Sequence, residues 1–166
     1  MAGEVIRLGG ALESRVEVRE GVTYVALVGV IDEAADLAPV TRLPGPMVVD
    51  LSELRRINSV GVRCWMDFVR AREATRDPRE TLTFERCSPA MVSQMSMITR
   101  FMGARSRVAS VLVPYRCTSC GADHLEPLTV ATNVQVQPTR SCSKCQARME
   151  LDELVETYAE ALEHAG

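Results

Sequence analysis

The sequence predicts an α/β fold, a mixed β-sheet flanked by helices, with a small metal-binding unit and a C-terminal amphipathic helix appended. Two observations carry this expectation. Aliphatic runs of strand length alternate with helical stripes over the first two thirds of the chain. Beyond them stand two CxxC pairs, Cys117/Cys120 and Cys142/Cys145, with 21 residues between the pairs. With 46% hydrophobic and 25% charged side chains, the 166 residues suffice for one core of roughly 110 residues and a small appendage.

Taken in order, Ser14–Arg19 alternates polar and apolar, Glu20-Gly21 supplies a turn, and Val22–Val30 is a longer β run, so the segment reads as a hairpin. Ile31–Ala38 reads as a short helix opened by Asp32, and Pro39–Pro46 as a breaker-rich connection into a central strand, Met47–Leu51. After Asn58, the positions Gly61, Cys64, Trp65, Phe68 and Val69 share one helical stripe that ends near Asp77-Pro78. Thr81–Cys87 is the next strand, and Ser88-Pro89 opens a helix running to Met102 and stopped by Gly103. Val108–Tyr115 is the last strand of this part and leads straight into the first cysteine pair. Trp65, Cys64 and Phe68, and Met91, Met95, Met97 and Met102, are expected to pack within the helices. Leu128–Val136 alternates as a strand does. From Met149, the positions Leu151, Leu154, Val155, Tyr158 and Leu162 trace one face of a final helix whose other face is acidic. That face is expected to pack within the chain, while pairing with a second protomer in a homodimer stays open.

Two residues between cysteines let both thiolates of a pair reach the same side of a metal, and two pairs complete a tetrahedral shell. Cys117, Cys120, Cys142 and Cys145 are therefore expected to hold one structural zinc in a zinc ribbon. His124 lies between the pairs, but four thiolates already fill the shell. The same thiolates would also serve a redox switch in which oxidation releases the metal.

From Pro114 onward, four basic residues stand against eight acidic ones, whereas residues 1–113 carry fifteen against fourteen. A ribbon that binds nucleic acid should offer phosphates a cationic stripe, and a four-thiolate zinc adds negative charge, so nucleic acid is disfavoured as a partner. No run of about 18 apolar residues exists, and Met1–Arg7 lacks the features of a secretion signal; a cytoplasmic protein without membrane insertion is expected. Eighteen arginines beside a single lysine, Lys144, suggest a GC-rich, bacterial genome.

The strand, helix, strand, helix order, with Val48–Ser52 leading through Ile57-Asn58-Ser59-Val60-Gly61 into a helix, resembles the STAS family, the sulfate transporter and anti-sigma factor antagonist domains. Cys87-Ser88-Pro89 is similar to that family's strand-to-helix junction. The resemblance covers roughly residues 12–115. It implies a STAS-like mixed sheet over residues 1–114, followed by the zinc ribbon at 115–148 and the C-terminal helix at 149–166. It also implies a non-catalytic regulatory module of anti-sigma factor antagonist type, whose partner is a kinase-like anti-sigma factor. In the family a serine at the helix start is phosphorylated by that partner; aligned by Gly61, the position is Ser59. The expected partner-binding residues are Asn58, Ser59, Val60, Arg55 and Arg56. Asn58 stands where the family usually has Asp, and Val60 replaces a second Ser or Thr. A constitutive signalling scaffold and a zinc-ribbon nucleic-acid binder remain the alternatives.

Physically, a helix start offers unpaired N–H groups and a positive dipole end, so a phosphate on Ser59 is locally favoured. The simpler reading makes Asn58 a helix cap and leaves both arginines solvated. No nucleophile elbow, phosphate-binding Gly loop or HExxH motif occurs, so no enzyme is expected; Asp50, at a strand end, lacks a partner base or metal in the sequence.

Overall fold

The computed structural model describes residues 3–165 apart from 75, 76 and 78. Pro78, expected beside the end of a helix, lies outside them. Strands β1 (Glu4–Arg7), β2 (Leu12–Arg19) and β3 (Val22–Ile31) form an antiparallel meander. The Glu20-Gly21 turn joins β2 to β3 with both residues at positive φ, 51° and 79°, the twist that a two-residue hairpin requires. After α1 (Ala38–Thr41) the chain alternates: β4 (Met47–Ile57), α2 (Ser59–Glu73), β5 (Leu82–Glu85), α3 (Pro89–Met97) and β6 (Arg107–Val108). β3 to β6 pair in parallel, giving a six-stranded mixed sheet whose spatial order equals its sequence order. Right-handed crossovers between such successive neighbours put α1, α2 and α3 on one face.

Burial follows that geometry. Val25, Leu27, Val49, Leu51 and Phe84 are buried under the helices, and Trp65 of α2 stacks obliquely on Phe68, Phe84 and Phe101 at 5.3–5.9 Å. On the other face, Ala26 and Val28 of β3 are only partly buried, and Arg15 of β2 reaches across that strand to Glu53 of β4, Nη1 to Oε1 at 3.0 Å. The long arginine stem shields the small apolar residues while its charge stays wet.

Several local expectations give way to tertiary pairing. Ile31–Ala38 is not a helix: β3 extends through Ile31, which pairs with Ile57, and Asp32 accepts the Ala34 N–H at 3.0 Å in a tight turn. The helix instead occupies Ala38–Thr41, with Pro39 in its first turn, where a missing N–H costs nothing. β4 continues six residues past Leu51, because two register irregularities against β3 let Leu51, Leu54 and Ile57, three apart, all reach the core. A search for alternation misses such a strand. β1 was not expected at all, being a four-residue edge strand with no alternation beyond itself. α3 ends at Met97, yet Phe101 and Met102 remain buried in the turn that follows, while Met97 is exposed.

Val108–Tyr115, expected as one strand, divides between sheets. Arg107–Val108 completes the first, and β7 (Ser110–Cys117) enters a second, antiparallel sheet with β8 (Asp123–Thr129), β9 (Thr139–Ser141) and β10 (Arg148–Leu151), in the order β8-β7-β10-β9. The Leu128–Val136 run is strand only as far as Thr129. Met149 and Leu151 belong to β10, so the last helix, α4, starts later than expected, at Val155, and ends at Glu163. Its Tyr158 is fully buried and donates its hydroxyl to the Leu112 carbonyl at 2.6 Å, and His164 lies 2.7 Å through Nδ1 from the Met95 carbonyl. Of the apolar stripe, Tyr158 and Leu162 thus pack within the chain, whereas Leu154 and Val155 are exposed; one hydrophobic core spans both sheets.

Arg72 is the one buried charged side chain among the described residues. Its guanidinium donates to the carbonyls of Leu43 (2.6 Å) and Gly45 (2.7 Å) and more loosely to Thr41 (3.4 Å), tying the α1–β4 connection to α2. Arg72→Met keeps the stem but leaves these carbonyls without donors. It should destabilise the fold by about 2–4 kcal/mol, roughly a 5–15 °C drop in melting temperature for a chain of this size. Calorimetry checks this; an unchanged melting temperature would mean that water replaces the guanidinium at no cost.

Candidate metal centre and the Ser59 helix start

The four cysteines come from two turns of the same construction. Cys117 closes β7 and Cys142 follows β9; the Met149–Cys117 pairing of β10 with β7 sets the turns side by side. In the first turn the Cys117 N–H donates to Ala122 O (2.9 Å) and Gly121 N–H to Cys117 O (3.1 Å). In the second the Cys142 N–H donates to Ala147 O (2.8 Å) and Gln146 N–H to Cys142 O (3.0 Å). Gly121 and Gln146 occupy equivalent left-handed positions at φ 68° and 62°. Backbone N–H groups also point at the sulfurs, Cys120 N to Cys117 Sγ at 3.5 Å and Lys144 N to Cys142 Sγ at 3.4 Å. The signal is a short internal repeat, Cys-x-x-Cys-x-Ala, at 117–122 and 142–147. Its cysteines alone were expected to matter; the alanine and the residue before it complete the turn.

All four sulfurs lie within 4.8 Å of one another, with Cys117–Cys145 at 3.5 Å and Cys120–Cys142 at 3.8 Å. A tetrahedron with metal–sulfur bonds of about 2.3 Å has edges of about 3.8 Å, so the donor set fits one metal ion, and zinc among them. Two of the thiols, Cys117 and Cys142, are biased toward ionisation. Cys117 is held down to about 6, first by the Cys120 N–H and then by that of Ser119; Cys142 is lowered by the N–H groups of Cys145 and Lys144. Cys120 has the Ala122 N–H pulling its pKa down, yet the sulfurs of Cys117 and Cys145 push it up to about 11, because a second thiolate beside the first is costly without a cation. Cys64 and Cys87 stand apart from the cluster, Cys87 fully buried and pushed up to about 12 by desolvation.

At the other candidate site, Asn58 caps α2: its Oδ1 accepts the Gly61 N–H at 2.8 Å, and its Nδ2 donates to Glu33 Oε2 at 2.8 Å. Ser59 and Val60 are exposed in the first turn, and Arg63 lies one turn further on, also exposed. Arg55 and Arg56 are exposed at the end of β4. Glu33, which carries no motif in the sequence, is held below the usual carboxylate range by its own backbone N–H, then by Asn58 and Arg56. The turn after β3 and the start of α2 thus form one polar surface, made by tertiary contact between residues 25 apart. Of the remaining candidates, Asp50 pairs with Arg86 and accepts the Ser52 N–H at 2.9 Å, and His124 lies against Glu126 at 3.5 Å, apart from the cysteines.

No model of a known protein family matches this chain, and no curated protein matches its sequence. Among the described residues, no helix is long and apolar enough to cross a membrane.

Proposed function

We propose that this chain is a non-catalytic regulatory protein-interaction module of anti-sigma factor antagonist type, with a STAS-like sheet and a zinc ribbon that holds one structural zinc. Its partner on this reading is a regulatory protein, a kinase-like anti-sigma factor, and phosphorylation of Ser59 switches the interaction in the cytoplasm. The observation that carries the reading is the exposed Ser59 in the first turn of α2, beside a cap already provided by Asn58. A phosphate there adds about −1.5 to −2 charges at neutral pH without breaking an existing side-chain contact of Asn58. Arg55 and Arg56 just before the helix and Arg63 one turn into it are exposed cations close to Ser59 in sequence, and Val60, 53% exposed, offers a partner an apolar contact. The acidic balance of the cysteine-bearing half weighs against a nucleic-acid partner.

Ser59→Asp should weaken partner binding by at least about tenfold, or 1.4 kcal/mol, while leaving thermal stability unchanged or slightly raised, since a carboxylate in the first turn favours the helix by about 0.3–1 kcal/mol. The test is affinity purification of tagged wild type and Ser59→Asp from the native cell, with quantitative mass spectrometry and phosphosite mapping. A kinase recovered with wild type alone supports the switch. Equal recovery of the same partners with both forms, and no phosphate on Ser59, leaves a constitutive scaffold in its place.

A further inference from the structure

The two exposed sulfurs of the cluster are placed so that each faces the buried sulfur of the other turn. Cys120 and Cys145 are exposed, whereas Cys117 and Cys142 are buried at the strand ends. Cys120 Sγ lies 3.8 Å from Cys142 Sγ, and Cys145 Sγ lies 3.5 Å from Cys117 Sγ. A dissolved oxidant meets the outer sulfurs first, and for each a resolving thiolate stands in the opposite turn.

We propose, building on the metal reading above, that the cluster is an oxidation site for hydroperoxides, closing into the cross-turn disulfides Cys120–Cys142 and Cys117–Cys145 as the metal leaves. The outer thiolate attacks the peroxide O–O bond, taking one oxygen as a sulfenic acid and releasing hydroxide. The facing thiolate then attacks that sulfur, forming the S–S bond and releasing a second hydroxide. Two hydroperoxides therefore oxidise four thiolates to two disulfides, four hydroxides are formed, and a divalent metal departs with its charge unpaired by sulfur. Because both bridges run between the turns, they take over the metal's task of joining the end of β7 to the β9–β10 hairpin. Bridges within a turn, Cys117–Cys120 and Cys142–Cys145, would leave the turns unjoined.

The experiment loads the reduced full chain with zinc, adds two equivalents of hydrogen peroxide, follows the metal with a chromogenic chelator, and maps disulfides by proteolysis and mass spectrometry. Expected are one zinc released per chain, the two cross-turn bridges, retained amide-exchange protection in β7 and β10, and recovery on adding dithiothreitol and zinc. Zinc retained under peroxide, or bridges confined within each turn, would overturn the proposal. A reduced chain that takes up no zinc would sink the metal reading instead; peroxide added to that chain still separates cross-turn from within-turn bridging.

Discussion

Cys142→Ser should abolish stoichiometric zinc binding and unfold the second sheet from Cys117 to Leu151 while the six-stranded sheet survives. Cys142 is buried, and its sulfur receives the Lys144 N–H in the turn that sets the second half of the donor shell. A serine oxygen at that position is a poor ligand, and structural zinc contributes on the order of 10–16 kcal/mol to the small folds that hold it, so losing the ion outweighs any local packing there. β7 is anchored in the shared core, but beyond it the second sheet has little else: β8 is largely exposed, β9 has three residues, and residues 130–138 form a loop. The first sheet carries its own reporter. Trp65, the single tryptophan, is fully buried and donates Nε1–H to Phe101 O at 3.1 Å. Amide exchange should show protection lost at residues 117–151, with Trp65 fluorescence unchanged and Cys64→Ser, outside the cluster, retaining zinc. If Trp65 becomes exposed in the same transition, the shared core that runs through Val111, Val113 and Tyr158 makes both sheets one cooperative unit.

Gly61→Ala should destabilise the protein by about 2–3 kcal/mol, and Gly61→Val should prevent folding at 37 °C. In an ordinary helix, alanine would be favoured over glycine by about 1 kcal/mol. Here a Cβ would stand 2.1 Å from the carbonyl oxygen of Ile31 and 2.6 Å from its carbon, backbone atoms fixed by the β3–β4 pairing and by the Asn58 N–H at 3.1 Å. Steric conflict exceeds propensity, and the start of α2 must lift off the sheet. The consequence reaches function as well as stability, because Asn58, Ser59 and Glu33 are held together by that close approach. Denaturant melts of both variants, with the Asn58 side-chain amide resonances as a local probe, check the expectation. A stabilised Gly61→Ala would show that the helix start moves freely, and with it the Ser59 surface.

The cysteine cluster was the most legible feature because its spacing is a covalent fact: two residues between cysteines fix which thiolates share a turn, whatever surrounds them. Ser59 at a helix start was legible for a similar reason, since Asn58 and the following apolar stripe are local signals. The helix expected over Ile31–Ala38 was misplaced because local propensity there, an Asp before a short apolar run, was weaker than eight paired positions between β3 and β4. Leu54 and Ile57 lay beyond the strand expected over Met47–Leu51, because the bulges that turn them inward arise from the mismatch between two strands, which no single segment contains. The division of residues 107–117 between two sheets, and the replacement of helix by strand at Met149, depend likewise on partners distant in sequence.

From sequence alone came the α/β alternation, the four cysteines of the cluster and the position of Ser59, each set by residue type and short-range spacing. The extent of β3 and β4, the seating of α2 through Gly61, the meeting of Glu33 with Asn58 and the cross-turn facing of the cysteines were decided by tertiary structure. Hydrogen-bond registers and van der Waals contacts between distant segments are many-body constraints, and they take effect only once the chain has folded back upon itself.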